Sequence, residues 1–384
     1  TVDLGNAGAQ FTGEGTTTFI NIENVNGGDG NDILAGGSGN DRLEGQGGIN
    51  TLTGGAGADA LFGGGSSFDW ALYTTSSAGV SVNLTTELGT GGDAQGDFIV
   101  GIANLRGSDF ADTLTGTDLK NTFYGEAGND TLFGGEDEDH LHGDSGTDKL
   151  YGGAQNDVLN GGAGNDKLYG GLDSDVLYGG AGNDFFRGDD TTDSFYGGTD
   201  YDYVSYYGSS TAVIVDLNAQ TLTGGDATGD TILSIEGVNG SNLGGDTITG
   251  SSGSNTLRGY GGEDRLFGGG GDDYLIGGNN DDNLFAGAGN NTLYGGAGDD
   301  YFKAERGTNS FYGGTGDDDY LSYYGSTDGI LINLTTQTIT RGDATGDIIE
   351  GIESVGGSNS GDDTMTGTSG ANRLKGYAGD DKFY

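Results

Sequence analysis

The sequence predicts an all-β solenoid built from short strands stacked coil upon coil. Three observations carry that prediction. From Gly125 to Tyr196 the chain repeats a nine-residue unit eight times, starting GEAGNDTLF, GGEDEDHLH, GDSGTDKLY, GGAQNDVLN. Every unit opens on Gly, carries Asp in sixth place, and has an apolar residue in eighth: Leu132, Leu141, Leu150, Leu159, Leu168, Leu177, Phe186 and Phe195. Units of the same kind return in separate blocks along the chain. A fixed short period is the mark of a stacked architecture.

Each part of the unit has a structural job. Its glycines permit backbone conformations closed to other residues, so the GGxG portion is a turn. The x-Leu-x that follows is a minimal strand, with the eighth residue on one side and the seventh and ninth on the other. Two units close one coil of eighteen residues. Stacking sets Leu132, Leu150 and Leu168 in file on one wall, and Leu141, Leu159 and Leu177 on the other. Successive coils then lie at the ~4.8 Å spacing of neighbouring strands.

One Leu in nine residues is a thin core against the entropy of ordering nine residues. The sixth-position acids make matters worse. They are Asp32, Asp41, Asp59, Asp112, Asp130, Asp139, Asp148, Asp157, Asp166, Asp175, Asp184, Asp193, Asp246, Asp264, Asp273, Asp282, Asp300, Asp363 and Asp381. Stacked ~5 Å apart, unit charges repel by about 3 kcal/mol at an effective dielectric of 20. The column therefore calls for a cation. Carboxylates beside glycine-turn carbonyls, in a chain with no Cys and two His, offer oxygen alone. Flexible, all-oxygen coordination suits Ca²⁺ rather than Mg²⁺ or Zn²⁺.

The GGxGxDxLx units, GGAGNDKLY and GGAGNDFFR above all, resemble the haemolysin-type calcium-binding repeats of RTX (repeats-in-toxin) proteins. The resemblance implies a parallel β-roll. It also implies several Ca²⁺ ions between successive loops, held by the sixth-position Asp and by loop carbonyls.

Composition narrows the partners. A formal charge of −45, from 59 acids against 14 Lys plus Arg, excludes nucleic acid and disfavours anionic lipid. There are no disulfides to form, no apolar run long enough to span a membrane, and no signal peptide at the start. The chain opens inside one pattern, Thr1-Val2-Asp3-Leu4, and stops inside another, so it reads as a segment of something longer.

In order along the chain, roll blocks occupy roughly 27–73, 107–207, 240–324 and 363–384. Between them a segment of about thirty residues returns at 79–108, 212–241 and 329–358, with a degenerate copy at the start, Val2-Asp3-Leu4 to Phe19-Ile20 and Val25. The division is four modules: 1–73, 74–207, 208–324 and 325–384. Within the inserts, Val213 to Leu217, Ile330 to Leu334 and Ile232 to Glu236 are β-branched strand runs. The GDAxGD turns pair Asp93 with Asp97, Asp226 with Asp230 and Asp343 with Asp347; a further Ca²⁺ loop and a solvated turn are both open readings. Aromatic patches precede the inserts, at Asp69 to Tyr73, Asp202 to Tyr207 and Asp319 to Tyr324. Their expected job is to cap a roll with a larger core; a sugar-stacking platform is the alternative.

Asn replaces Asp at Asn50, Asn121, Asn255, Asn291, Asn309 and Asn372, where ions should be weak or absent. Ninth-position Phe133, Tyr151 and Tyr169 should stack on one outer face, and Tyr178 and Tyr196 on the other, as structural cover or as a binding ladder. His140 and His142, the only histidines, share an outer face but make too few ligands for a metal site. No nucleophile elbow, HExxH or phosphate loop is present, so no catalysis is expected. Two roles remain. One is a secreted structural, adhesive or self-assembling protein of the bacterial surface, with itself or polysaccharide as partner. The other is the secretion and folding module of an exported enzyme or toxin.

Overall fold

The computed structural model describes residues 2–3, 9–11, 16–18, 22–64, 66 and 68–384. Most of the degenerate insert copy at the start, including Phe19 and Ile20, lies outside the described residues. The chain forms two compact units: Thr1–Arg187 with Asp193–Asp200, and Gly188–Thr192 with Tyr201–Tyr384. Each is a parallel β-solenoid, as the nine-residue period predicts.

In the first unit the strands of the long block fall on two walls. One wall carries Thr131–Gly135, Lys149–Ala154 and Lys167–Leu172; the other carries His140–Ser145, Val158–Ala163 and Val176–Ala181. Register steps by one coil, with Leu132 against Leu150 against Leu168 and Leu141 against Leu159 against Leu177, all parallel. These leucines are fully buried, so the core is two facing files of side chains and nothing more. The turns need glycine for space as well as conformation. A methyl built on Gly152 would lie 2.3 Å from an oxygen of Asp157 and 2.6 Å from the Gly170 carbonyl.

The second unit repeats the plan. Tyr274–Asn279, Thr292–Ala297 and Ser310–Thr315 form one wall, and Arg265–Phe267, Asn283–Phe285 and Tyr301–Lys303 the other.

The inserts are coils of the same solenoid, each carrying a hairpin. In the first, Phe98–Val100 continues one wall by pairing in parallel with Ala60–Gly64. Asn104–Arg106 continues the other, pairing with both Trp70–Leu72 and Thr122–Tyr124. Between these walls' steps the chain makes an antiparallel hairpin, Ser81–Asn83 with Leu88–Thr90, that joins Phe98–Val100 on one side and Thr113–Thr115 on the other. One wall thus gains two strands that the opposite wall lacks. The third insert does the same with Leu331–Asn333 and Thr338–Thr340, while Ile348–Glu350 stacks on Ser310–Thr315. The expected strand over 232–236 is shorter, Thr231–Leu233, because Ser234 turns the chain at φ 56°.

The outer ladders form as the spacing predicts. Ring centroids are 4.8 Å apart for Phe133 and Tyr151, 4.7 Å for Tyr151 and Tyr169, and 4.8 Å for Tyr178 and Tyr196, with near-parallel planes. Stacked this way the rings spend their faces on one another and show solvent their edges.

Candidate metal centres

Within the roll blocks the sixth-position residues make two ladders, one at each edge of the roll. One carboxylate oxygen, Oδ1, accepts the backbone N–H of the column residue one coil earlier. Asp148 takes Asp130 N–H at 2.8 Å, Asp166 takes Asp148 at 2.8 Å, and Asp157 takes Asp139 at 2.7 Å. Asp175, Asp184 and Asp193 continue these ladders, accepting from Asp157, Asp166 and Asp175. In the second unit Asp264, Asp282 and Asp300 follow one another in the same way.

The second oxygen is the chemical problem. Oδ2 of Asp32, Asp59, Asp130, Asp139, Asp148, Asp157, Asp166, Asp264, Asp273, Asp282 and Asp300 is buried with no hydrogen-bond partner. It faces a carbonyl instead of a donor: a methyl on Gly134 would lie 2.2 Å from Asp139 Oδ2 and 2.6 Å from the Gly152 carbonyl. Two acceptors converge with no proton between them. Burial, more than neighbouring charge, pushes Asp139 and Asp282 up to about 8, and Asp130, Asp148, Asp157, Asp264, Asp273 and Asp300 up to about 7. A buried carboxylate without a partner is costly, and the group demands a proton or a cation.

The donors present fit calcium. Among the described residues no three His, Cys, Asp or Glu side chains gather into one cluster, so backbone carbonyls would have to complete any coordination sphere. One carboxylate oxygen with glycine carbonyls is a hard, oxygen-only set.

Not every column position presents this need. Asp112 is closed by its own loop: Oδ2 accepts Ser108 N–H at 2.5 Å, and Oδ1 accepts the Ser108 hydroxyl at 2.8 Å and Val80 N–H. Asp246 with Ser241 and Asp363 with Ser358 are built identically. Asp41 Oδ2 accepts Gly37 N–H at 2.7 Å. Asp381 makes the ladder bond, its Oδ1 accepting Asp363 N–H at 3.0 Å, but is only half-buried. At the Asn positions an amide N–H₂ supplies the missing hydrogen. Asn50 Nδ2 donates to the Gly63 carbonyl at 3.2 Å, Asn121 to Ala103 at 2.7 Å, Asn255 to Glu236 at 3.1 Å and Asn372 to Glu353 at 2.9 Å.

Three sets of functional residues escape a strict nine-residue reading. Asp69 and Asp319 stand seventh in their units, yet they join the columns, accepting Asn50 N–H at 2.6 Å and Asp300 N–H at 2.8 Å. The second acid of the GDAxGD turn also joins in the first and third inserts. Asp97 accepts Asp59 N–H at 2.8 Å and the Tyr73 hydroxyl at 3.0 Å; Asp347 accepts Asn309 N–H at 2.7 Å and the Tyr323 hydroxyl at 2.7 Å. Asp230 likewise accepts from Tyr206 at 2.8 Å. A phenol proton therefore meets the second carboxylate oxygen of these acids. The signal was available: tyrosine and acid are twenty-four residues apart in all three copies.

The third set is the fifth position. Asn129 accepts Thr147 N–H at 2.9 Å, Asn165 accepts Asn183 N–H at 2.8 Å, and Asp281 accepts Asp299 N–H at 2.9 Å. This ladder runs opposite to the sixth-position one, bonding to the coil after rather than before. The recurring Asn-Asp pair is thus a two-way tie between coils. His140 and His142 lie apart from all of this; burial lowers the pKa of both, and the His142 ring stacks on Tyr124 at 4.5 Å.

Parallel coils edged by unpartnered carboxylates and glycine carbonyls define a calcium-binding β-roll. The model of the RTX calcium-binding nonapeptide repeat matches residues 21–52, 36–67, 106–141, 142–177, 169–204, 241–275, 276–311 and 358–384. These matches cover more than half of the chain, which belongs to that family. The comparison with curated proteins gave no match.

Proposed function

We propose that this chain is a secreted, calcium-dependent structural element that folds outside the cell and serves as a scaffold, adhesive or self-assembling surface protein. The observation that supports it most is the run of buried, unpartnered carboxylate oxygens of Asp130, Asp148 and Asp166 along one edge of the first unit and of Asp139 and Asp157 along the other. At low calcium those acids repel and resist burial, which keeps the chain extended and fit for export. At high calcium each filled site adds about 2.7 kcal/mol when the ion stands at 100 times its Kd. RTX repeats are typical of secreted bacterial proteins, and no helix among the described residues is long and apolar enough to cross a membrane.

The scaffold reading takes the chain as non-catalytic. Its partners would be further copies of itself or a surface polysaccharide met by ring edges and tyrosine hydroxyls. Electron microscopy of the chain with and without calcium tests it: calcium-dependent polymers or sheets are expected, and monodisperse particles under both conditions count against it. The family match equally suits a folding and secretion module of an exported enzyme or toxin. A catalytic domain encoded in the same gene would favour that second reading.

A further inference from the structure

The nonapeptide matches end at residues 67 and 311 on approaching the first and third inserts. The columns do not end there. Asp319 is seventh in Gly313-Gly314-Thr315-Gly316-Asp317-Asp318-Asp319, one place out of phase, and the extra residue is absorbed in the loop. Its Oδ1 still takes Asp300 N–H at 2.8 Å, it is 1% exposed, and its Oδ2 has no partner. A methyl built on Gly313 would meet Asp319 Oδ2 at 2.4 Å and the carbonyl of Gly351 at 1.9 Å. In the regular coil before it, a methyl on Gly295 would meet Asp300 Oδ2 at 2.1 Å and the Gly313 carbonyl at 2.7 Å. Gly351, an insert residue, therefore stands where the next unit's first glycine would stand.

The first insert repeats the arrangement. Asp69 is fully buried with Oδ2 unpartnered, and a methyl on Gly63 would meet that oxygen at 2.8 Å and the Gly101 carbonyl at 2.2 Å. Gly101 and Gly351 both hold a left-handed backbone, at φ 65° and 67°. At the third insert a second carboxylate is close, since Glu353 Oε2 accepts Asp319 N–H at 3.1 Å.

We propose that a hard divalent cation, calcium, binds at these two junctions, held by Asp319 with the Gly351 carbonyl and by Asp69 with the Gly101 carbonyl. Each site fastens a roll block to the insert that follows it. Beyond each junction the same edge meets a neutral residue, Asn372 after Asp319 and Asn121 after Asp69, whose amide already bonds to Glu353 or Ala103. The junction sites are thus the last cation sites of their edges before the next block.

The proposal rests on calcium binding along the regular columns, and the experiment separates the two. Crystals of the full chain grown in calcium should show anomalous peaks beside Asp130 to Asp166 and also beside Asp69 and Asp319. Asp319→Asn should lose the peak beside residue 319 and keep the rest; Asn is the residue other coils use in the column, so the fold should survive. Peaks along the columns with none at the junctions would overturn this inference alone, and no peaks anywhere would overturn the column reading too. Solution gives a second readout. Trp70, the one tryptophan of the chain, follows Asp69 directly and should sensitise terbium bound there. Loss of most tryptophan-sensitised emission in Asp69→Asn is expected; emission unchanged from the parent chain would refute the Asp69 site.

Discussion

The long block of the first unit and the block of the second unit share a register but not a charge pattern. In the first, eight acids from Asp130 to Asp193 follow one another without a break. In the second, one edge keeps Asp264, Asp282, Asp300 and Asp319, while the other runs Asp273, Asn291, Asn309, Asp347. Two of those units also begin with Ala in place of Gly, at Ala286 and Ala304. Each methyl occupies the place beside the column that glycine leaves open in the acid-bearing coils. The Asn amides turn to loop carbonyls, Asn291 to Gly287 at 3.4 Å and Asn309 to Glu305 at 3.1 Å. The same coil can therefore be closed by a cation or by a methyl and an amide, and the second solution carries no buried charge.

The largest effect should come from removing calcium. With chelator at pH 8, hydrogen exchange should become fast throughout 131–181, where both edges carry unpartnered acids. Calcium titration should bring back protection in 274–315 at a lower concentration than in 131–181. Coincident midpoints would show that the Asn-lined edge confers nothing.

Protons should partly replace the ion. In the metal-free protein Asp130, Asp148, Asp157, Asp264, Asp273 and Asp300 sit at about 7 and Asp139 and Asp282 at about 8, above the ordinary 3.8, because burial disfavours their charge. The folded state then binds more protons than the unfolded chain between 3.8 and about 8. Stability of the metal-free chain must fall as pH rises from 3.8 towards 8. Circular dichroism in chelator should show more β signal at pH 5 than at pH 8, and a flat profile would contradict the reading of the acids as buried. With calcium present the slope should shrink.

How far the sequence alone reaches is clear from particular residues. Leu132 over Leu150 and Tyr151 over Tyr169 follow from an eighteen-residue coil, because a strict period fixes register. The column from Asp130 to Asp193 follows for the same reason. Asp69, Asp97, Asp319 and Asp347 break the period by one residue or by a whole hairpin, and only the backbone ladder shows that they belong to the column. The fates of Asp112, Asp246 and Asp363 were also hidden: their letters match the consensus, but a serine four or five residues earlier has already satisfied both oxygens. Periodicity finds positions; it does not say which atoms at those positions lack a partner.

Converting one solution into the other sharpens the comparison. Ala286→Gly with Asn291→Asp should add one calcium to the second unit and make its roll less stable in chelator. The mirror pair, Gly152→Ala with Asp157→Asn, should remove one calcium from the first unit and ease its folding without the ion. Ions per chain, counted by atomic emission on dialysed protein, check both. An unchanged count in either double variant would mean that the glycine and the acid do not jointly define the site.

The smallest effect belongs to the insert coils, where a tyrosine does the cation's work. Tyr323 is almost fully buried and its hydroxyl donates a hydrogen bond to Asp347, as the Tyr73 hydroxyl does to Asp97. Tyr323→Phe removes the donor and leaves Asp347 Oδ2 facing apolar atoms, at a cost of about 1–3 kcal/mol. Because no ion takes part, the loss should be the same at saturating calcium and at the lowest calcium where the fold persists. Urea unfolding at the two concentrations measures it. A penalty that vanished in calcium would show that the ion can enter once the phenol is gone, and the insert would then be a cation site held shut by a hydroxyl rather than a coil that never needed one.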